Sequence, residues 1–75
     1  TPEETVLLRE RQKAVRAALE RLSNEDRILF YRKYYYMQST AQIAAELGLT
    51  ERAVEGRLYR LKKHLRRLLG GEDRA

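Results

Sequence analysis

A row of apolar side chains near the C-terminus constrains the fold of this chain more than any other feature. The row steps by four, three, four and three residues, through Val54, Leu58, Leu61, Leu65 and Leu68. Side chains at this spacing share one narrow face of an α-helix, because each residue turns the helix by about 100°. The row predicts a long amphipathic helix that runs to about Leu69, with this face packed inward and the opposite face open.

The opposite face of this helix is basic. Residues 50–69 carry seven basic and two acidic side chains, and their net +5 equals the net charge of the whole 75-residue chain. A concentrated basic segment is typical of proteins that bind a polyanion. A helix with a merely solvated face has the same composition, so charge alone leaves both interpretations open.

Three further helices precede this one, and each has a residue type that caps helix N-termini. The expected caps are Thr1, Ser23, Ser39 and Thr50. The expected helices cover about residues 2–22, 24–35, 40–47 and 51–69. Glu4 and Gln42 stand three residues after their caps and predict capping boxes, whereas Gly48 predicts a left-handed end to the third helix. The fold class is therefore all-α, a small four-helix domain over residues 1–75 with a frayed tail from Gly70.

Helical spacing also predicts which other side chains form the core. In the first helix Leu8 and Val15 belong to an apolar face, and in the third helix Leu47 does. The run Tyr34–Tyr36 is open to two interpretations, a platform on which bases stack or part of the core. Aromatic residues at the end of an amphipathic helix favour the core.

Residues 39–60 predict a helix-turn-helix, since a short helix, a glycine-bearing turn of about three residues and a second helix define that motif. The second helix of such a motif enters the major groove of DNA. Gly56 interrupts this helix at a cost of roughly 1 kcal/mol relative to alanine. Its place on the basic face, beside Arg52, Tyr59 and Arg60, favours close approach of the backbone to DNA. The alternative is a neutral surface glycine tolerated in a long helix.

Positions in the motif predict individual contacts. Ser39, Thr40 and Thr50 stand at helix starts, where hydroxyl and N–H groups bind phosphate. Arg52 has the geometry for a bidentate contact to guanine, and Glu55 can accept a hydrogen bond from cytosine.

The other expected contacts surround these two residues. We expect phosphate contacts from Arg57, Arg60 and Lys63. Glu51 also lies near the expected interface, although the helix dipole accounts for its position equally well.

The sequence shows no pattern of catalysis, of a metal site or of a bound cofactor. His64 stands among basic residues, with no carboxylate three or four positions away. The chain has no cysteine, which fits a reducing, cytoplasmic setting, and no apolar run long enough for a membrane span. It begins at Thr1 rather than at methionine, so we expect it to be part of a longer protein.

The stretch LSNEDRILFYRKYYYMQSTAQIAAELGLTERAVEGRLYRLKKHLRRLL resembles the fourth conserved region of bacterial RNA polymerase sigma factors, especially the extracytoplasmic-function group. That family reads leucine-proline-x-x-x-arginine, then an apolar run that ends near tyrosine, and then S-x-x-E-I-A-x-x-L-G-I-S-x-x-T-V-K-S-R-L-x-R-A over the helix-turn-helix. The matching residues are Leu22, Arg27, Ser39, Ile43, Ala44, Leu47, Gly48, Val54, Arg57, Leu58 and Arg60. The departures include Ser23 for proline, Gln42 for glutamate, Glu55 for lysine and Gly56 for serine.

The resemblance implies a function. A domain of this family binds the minus-thirty-five element of a promoter as double-stranded DNA, docks on the flap of the polymerase β subunit and is often captured by an anti-sigma factor. No second-region segment, which would melt promoter DNA, is present in these residues. We expect a monomer that binds promoter DNA and does not start transcription alone.

Two alternatives remain at this point. A LuxR-like output domain of a response regulator shares the four-helix plan but dimerises on inverted half-sites, and SNEDR matches its T-x-R-E pattern poorly. A helical protein-interaction module would use the leucine row as a coiled-coil seam and would ignore DNA.

Overall fold

The computed structural model describes residues 1–70, and every regular element within them is helical. The elements are α1 (Pro2–Glu20), α2 (Asn24–Phe30) with a π-helical turn (Tyr31–Tyr35), α3 (Thr40–Leu47) and α4 (Glu51–Leu68). The all-α, four-helix prediction is confirmed. Among these helices none combines the length and apolarity needed to cross a bilayer. The expected tail lies outside the described residues from residue 71 onward.

Side-chain caps begin all four helices, as the sequence predicts. The hydroxyls of Thr1, Ser23, Ser39 and Thr50 each accept a hydrogen bond from the backbone N–H three residues later. The capping box of α1 is complete, but that of α3 is not, because the Gln42 side chain donates to Glu46 instead. Gly48 ends α3 with a φ of 69°, the left-handed cap expected there.

The second helix differs from the prediction after Phe30. The N–H of Tyr36 donates to the carbonyl of Tyr31, five residues back, at 2.8 Å, so the last turn is a π-turn rather than an α-turn. The chain leaves this turn through Met37, whose φ is 57°. The N–H of Gln38 then donates to the carbonyl of Arg32 at 2.9 Å, which holds the exit in place.

The core lies where α3 and α4 meet, and it includes residues of all four helices. Its most deeply buried side chains are Ile43, Val54 and Leu61. The other buried members are Ala18, Leu19, Leu22, Leu29, Ala44, Leu58 and Leu65. The row predicted from the sequence is therefore packed inward through Leu65, with Leu68 partly buried against it.

Several side chains expected in the core are exposed instead. Leu8 is 58% exposed, and Val15 and Leu47 are also open to solvent. Residues 1–17 are all exposed, because only the C-terminal end of α1 reaches the core. The core interpretation of the Tyr34–Tyr36 run is wrong as well, since all three rings are exposed. Their rings contact neighbouring aromatic rings, for example Tyr35 and Tyr36 at 5.0 Å between centroids.

We expect Ile43→Ala to lower the free energy of unfolding by about 2–5 kcal/mol, because it leaves a cavity in a fully packed site. Urea unfolding of the purified chain measures this loss. The matched control is Leu7→Ala, whose side chain is 57% exposed on α1. A change beyond about 0.5 kcal/mol in the control, or a small one in Ile43→Ala, would contradict this account of the core.

Candidate nucleic-acid interface

The turn between α3 and α4 sets the relation of the two helices. The N–H of Leu49 donates to the carbonyl of Ala44 at 2.8 Å, which closes the turn just after the left-handed Gly48. Leu49 packs on the core, and the small Ala44 side chain is buried, which permits close packing of α3 on α4. This is the arrangement of a helix-turn-helix, in which one face of α4 is packed and the other is free.

The free face of α4 brings together five of the predicted site residues. Arg52, Gly56, Tyr59, Arg60 and Lys63 lie opposite the buried row by helical spacing, and none of them is buried. The ammonium of Lys63 lies 5.8 Å from the centre of the Tyr59 ring, a cation–π distance. Among residues 1–70 the guanidinium groups of Arg52 and Arg60 have no hydrogen-bonded or ion-paired partner.

A lysine of the π-turn lies beside the start of α3, and the sequence analysis did not single it out. Lys33, in the π-turn, donates a hydrogen bond from its ammonium to Oγ1 of Thr40 at 3.2 Å. Ser39 caps the helix beside it, and Thr50 does the same for α4. The spacing of Lys33 and Thr40 along the chain carries no signal for this contact, because the π-turn and the bend after it produce it.

Arg57 lies apart from the other predicted phosphate contacts. Its guanidinium is 3.7 Å from the carboxylate of Glu25 on α2, on the flank of α4 that borders the core. The side chain is partly buried there, whereas Glu25 is open to solvent. This ion pair offers a structural reason for Arg57 beside the expected phosphate contact.

The two acidic residues at the start of α4 are exposed. Within the described part of the chain neither Glu51 nor Glu55 has an ion-pair partner. Both lie at the edge of the basic face rather than at its centre, as their helical positions relative to Arg52 require. The positions are compatible with the dipole interpretation of Glu51 and with base recognition by Glu55.

A charged network joins the π-turn to α3 behind the interface. Arg32 donates to Glu46 and also to the side chain of Gln38, and Gln42 donates to the second carboxylate oxygen of Glu46 at 3.0 Å. The hydrogen bonds from Gln42 and Arg32 lower the pKa of Glu46 below its ordinary value. The network links the π-turn to α3 through Arg32 and Glu46.

The fold and this face define a helix-turn-helix DNA-binding domain. The family described as "Sigma-70, region 4" matches residues 12–65, which is more than half of the chain. The chain belongs to the sigma-70 region 4 family, the promoter-binding domain that reads the minus-thirty-five element. The family is a DNA-binding rather than a catalytic one, and this membership favours the sigma-factor interpretation over the LuxR-like alternative.

Named relatives point to the same family. The chain is 47% identical over 49 residues to "ECF RNA polymerase sigma factor SigL" of Mycobacterium tuberculosis, in three strains. The match covers 65% of this chain and 28% of the relative, so the chain spans less than a third of the length of these proteins. The extracytoplasmic-function type of region 4 is thereby supported.

We expect Lys63→Ala to weaken DNA binding on every sequence and to flatten the slope of log affinity against log salt by about one unit, because one phosphate contact is lost. Fluorescence anisotropy with a labelled duplex across a salt series measures the slope. The matched control is Lys13→Ala, which removes the same charge from an exposed position on α1 and should keep the slope.

An unchanged slope in Lys63→Ala would remove this lysine from the interface. Arg57→Ala in the same series decides between the two roles of Arg57. A flatter slope would show that Arg57 contacts a phosphate. An unchanged slope would leave only its ion pair with Glu25.

Proposed function

We propose that this chain reads its promoter element by inserting the free face of α4 into the major groove, as one domain of an extracytoplasmic-function sigma factor. The observation that carries the proposal is the division of α4 into a buried apolar row and an unpacked basic face. The proposal includes transcription initiation by the whole sigma factor. The relatives are longer than this chain, and the match covers 28% of their length.

The residues of the face divide into base and phosphate contacts. Arg52 lies in the first turn of α4, and its guanidinium has no partner among residues 1–70, which suits a bidentate contact to guanine O6 and N7. Glu55 is suited to accept from cytosine N4, and Gly56 permits close approach. Lys63 and the hydroxyls of Ser39 and Thr40 are suited to phosphates.

We expect Arg52→Ala to cost about 1–3 kcal/mol and to relax the preference at one base pair, because a bidentate base contact is removed. The measurement is selection from a randomised duplex pool by the wild-type chain, followed by affinity for each single-base-pair variant of the selected duplex. The matched control, Arg9→Ala on α1, should keep the whole preference.

Two outcomes would contradict this role. An equal loss on all duplexes would make Arg52 a phosphate contact. A wild-type chain that selects no sequence, or binds no duplex, would overturn promoter reading by this domain.

A groove on α1 is the proposed docking surface for the polymerase β flap. Leu8, Val15 and Tyr31 form its apolar part, and Arg11 and Arg16 lie at its edge. An apolar helix face left exposed in a small domain favours burial against a partner. The groove belongs to α1 and the π-turn, so a partner bound there leaves the basic face of α4 open to DNA.

We expect Leu8→Glu to weaken binding of a purified β-flap domain by at least about tenfold, because it puts a charge into an apolar contact. The matched control is Leu7→Glu, which has almost the same exposure, 57% against 58%, and lies outside the groove. Equal binding by both variants would exclude the groove, and duplex binding should be unchanged in both.

Three further features belong to the same proposal. The domain acts as a monomer, in contrast to a LuxR-like domain, and sedimentation of the chain with and without duplex tests this. It works in the cytoplasm, where RNA polymerase is. An anti-sigma factor would silence it by covering the α1 groove or the face of α4.

A further inference from the structure

Gly56 stands in the middle of α4 without a backbone reason for being glycine. Its φ is not positive, so any residue could adopt its conformation. Glycine is unfavourable in a helix interior. Apart from its own helix backbone and chain neighbours, a Cβ at this position would meet a single atom among the described residues, Nη1 of Arg60 at 3.4 Å. The guanidinium of Arg60 therefore lies against the bare backbone at Gly56.

The direction of the Arg60 side chain explains this contact. Residues four apart are neighbours on a helix face, and helical side chains lean toward the N-terminus. The head group of Arg60 thus lies about one turn nearer to Arg52 and to the end of α4 that enters the groove. Within residues 1–70 it makes no hydrogen bond or ion pair, so its planar donor fork is open to a nucleic acid.

We propose that Gly56 and Arg60 form one base-reading unit, in which the missing side chain at position 56 lets the Arg60 guanidinium reach a base edge instead of the phosphates. The ligand is the edge of a guanine, whose two acceptors match the fork of arginine. The unit rests on the proposed insertion of α4 into the major groove, and it replaces the phosphate contact expected for Arg60 from the sequence.

Position 56 would then decide what Arg60 reads. The Cβ of an alanine at position 56 would be in ordinary contact with the Arg60 guanidinium, at 3.4 Å. It would leave most of the space that the Arg60 side chain crosses open. A longer side chain such as glutamine would occupy this space and turn Arg60 outward, toward the backbone of the DNA. Both replacements favour the helix, so the variants are expected to fold at least as well as the wild type.

The test is a double-mutant cycle with the 75-residue chain: wild type, Gly56→Gln, Arg60→Ala and the double variant. The probes are a duplex selected by the wild type from a randomised pool and its single-base-pair variants. In the wild-type background Arg60→Ala should reduce the preference at one guanine by about five- to 150-fold. In the Gly56→Gln background that preference is already lost, and Arg60→Ala should weaken all duplexes equally.

Two results would overturn the unit. One is the same loss of preference from Arg60→Ala in both backgrounds, which would make the two residues independent. The other is an equal loss on all duplexes in the wild-type background, which would make Arg60 a phosphate contact. His64→Gln, on the same helix but off the basic face, is the control and should change neither preference nor affinity.

The same data separate this unit from the proposed function. If Arg52→Ala still relaxes one base pair while the cycle shows no coupling, promoter reading stands and the unit fails. If the wild type selects no sequence, both fail. Thermal unfolding of each variant shows that a lost preference does not come from a lost fold.

Discussion

The packing of α3 on α4 is the interaction on which the rest of this domain depends. Ile43 and Val54 are completely buried at this contact, and Leu61 is almost so. Because the buried row orients α4, its opposite side faces outward and carries arginine and lysine. The left-handed Gly48 ends α3 and lets the chain turn toward α4, and the small Ala44 lets the two helices pack closely. A domain of this size has one core, so both the fold and the exposed face rely on it.

Some arginines of this domain form ion pairs, and others do not within residues 1–70. Away from the free face of α4, Arg57 contacts Glu25 and Arg32 contacts Glu46. On that face, Arg52 and Arg60 have no such partner among the described residues. Exposed ion pairs add little to stability, so the pairs matter more for charge distribution. They neutralise two of the positive charges that lie off the face, Arg32 and Arg57.

Apolar exposure is also unevenly distributed. Most of α1 and the aromatic residues of the π-turn are open, whereas the helix-turn-helix is well packed. An exposed apolar groove and a basic face on different elements would let one small domain hold a protein and DNA at the same time. This arrangement suits a domain that connects a polymerase with a promoter.

Local chemistry made much of this structure predictable. Capping residues, the leucine row and Gly48 act within a few neighbours, so the helices, the buried side of α4 and the helix-turn-helix are predictable from local patterns. The exposure of Leu8, Val15 and Leu47 follows from how the helices pack, because periodicity identifies an apolar face but not whether another element covers it. The pairing of Arg57 with Glu25 likewise depends on how distant segments meet, and the contact of Lys33 with Thr40 depends on the π-turn. The spacing of residues along the chain does not predict such contacts.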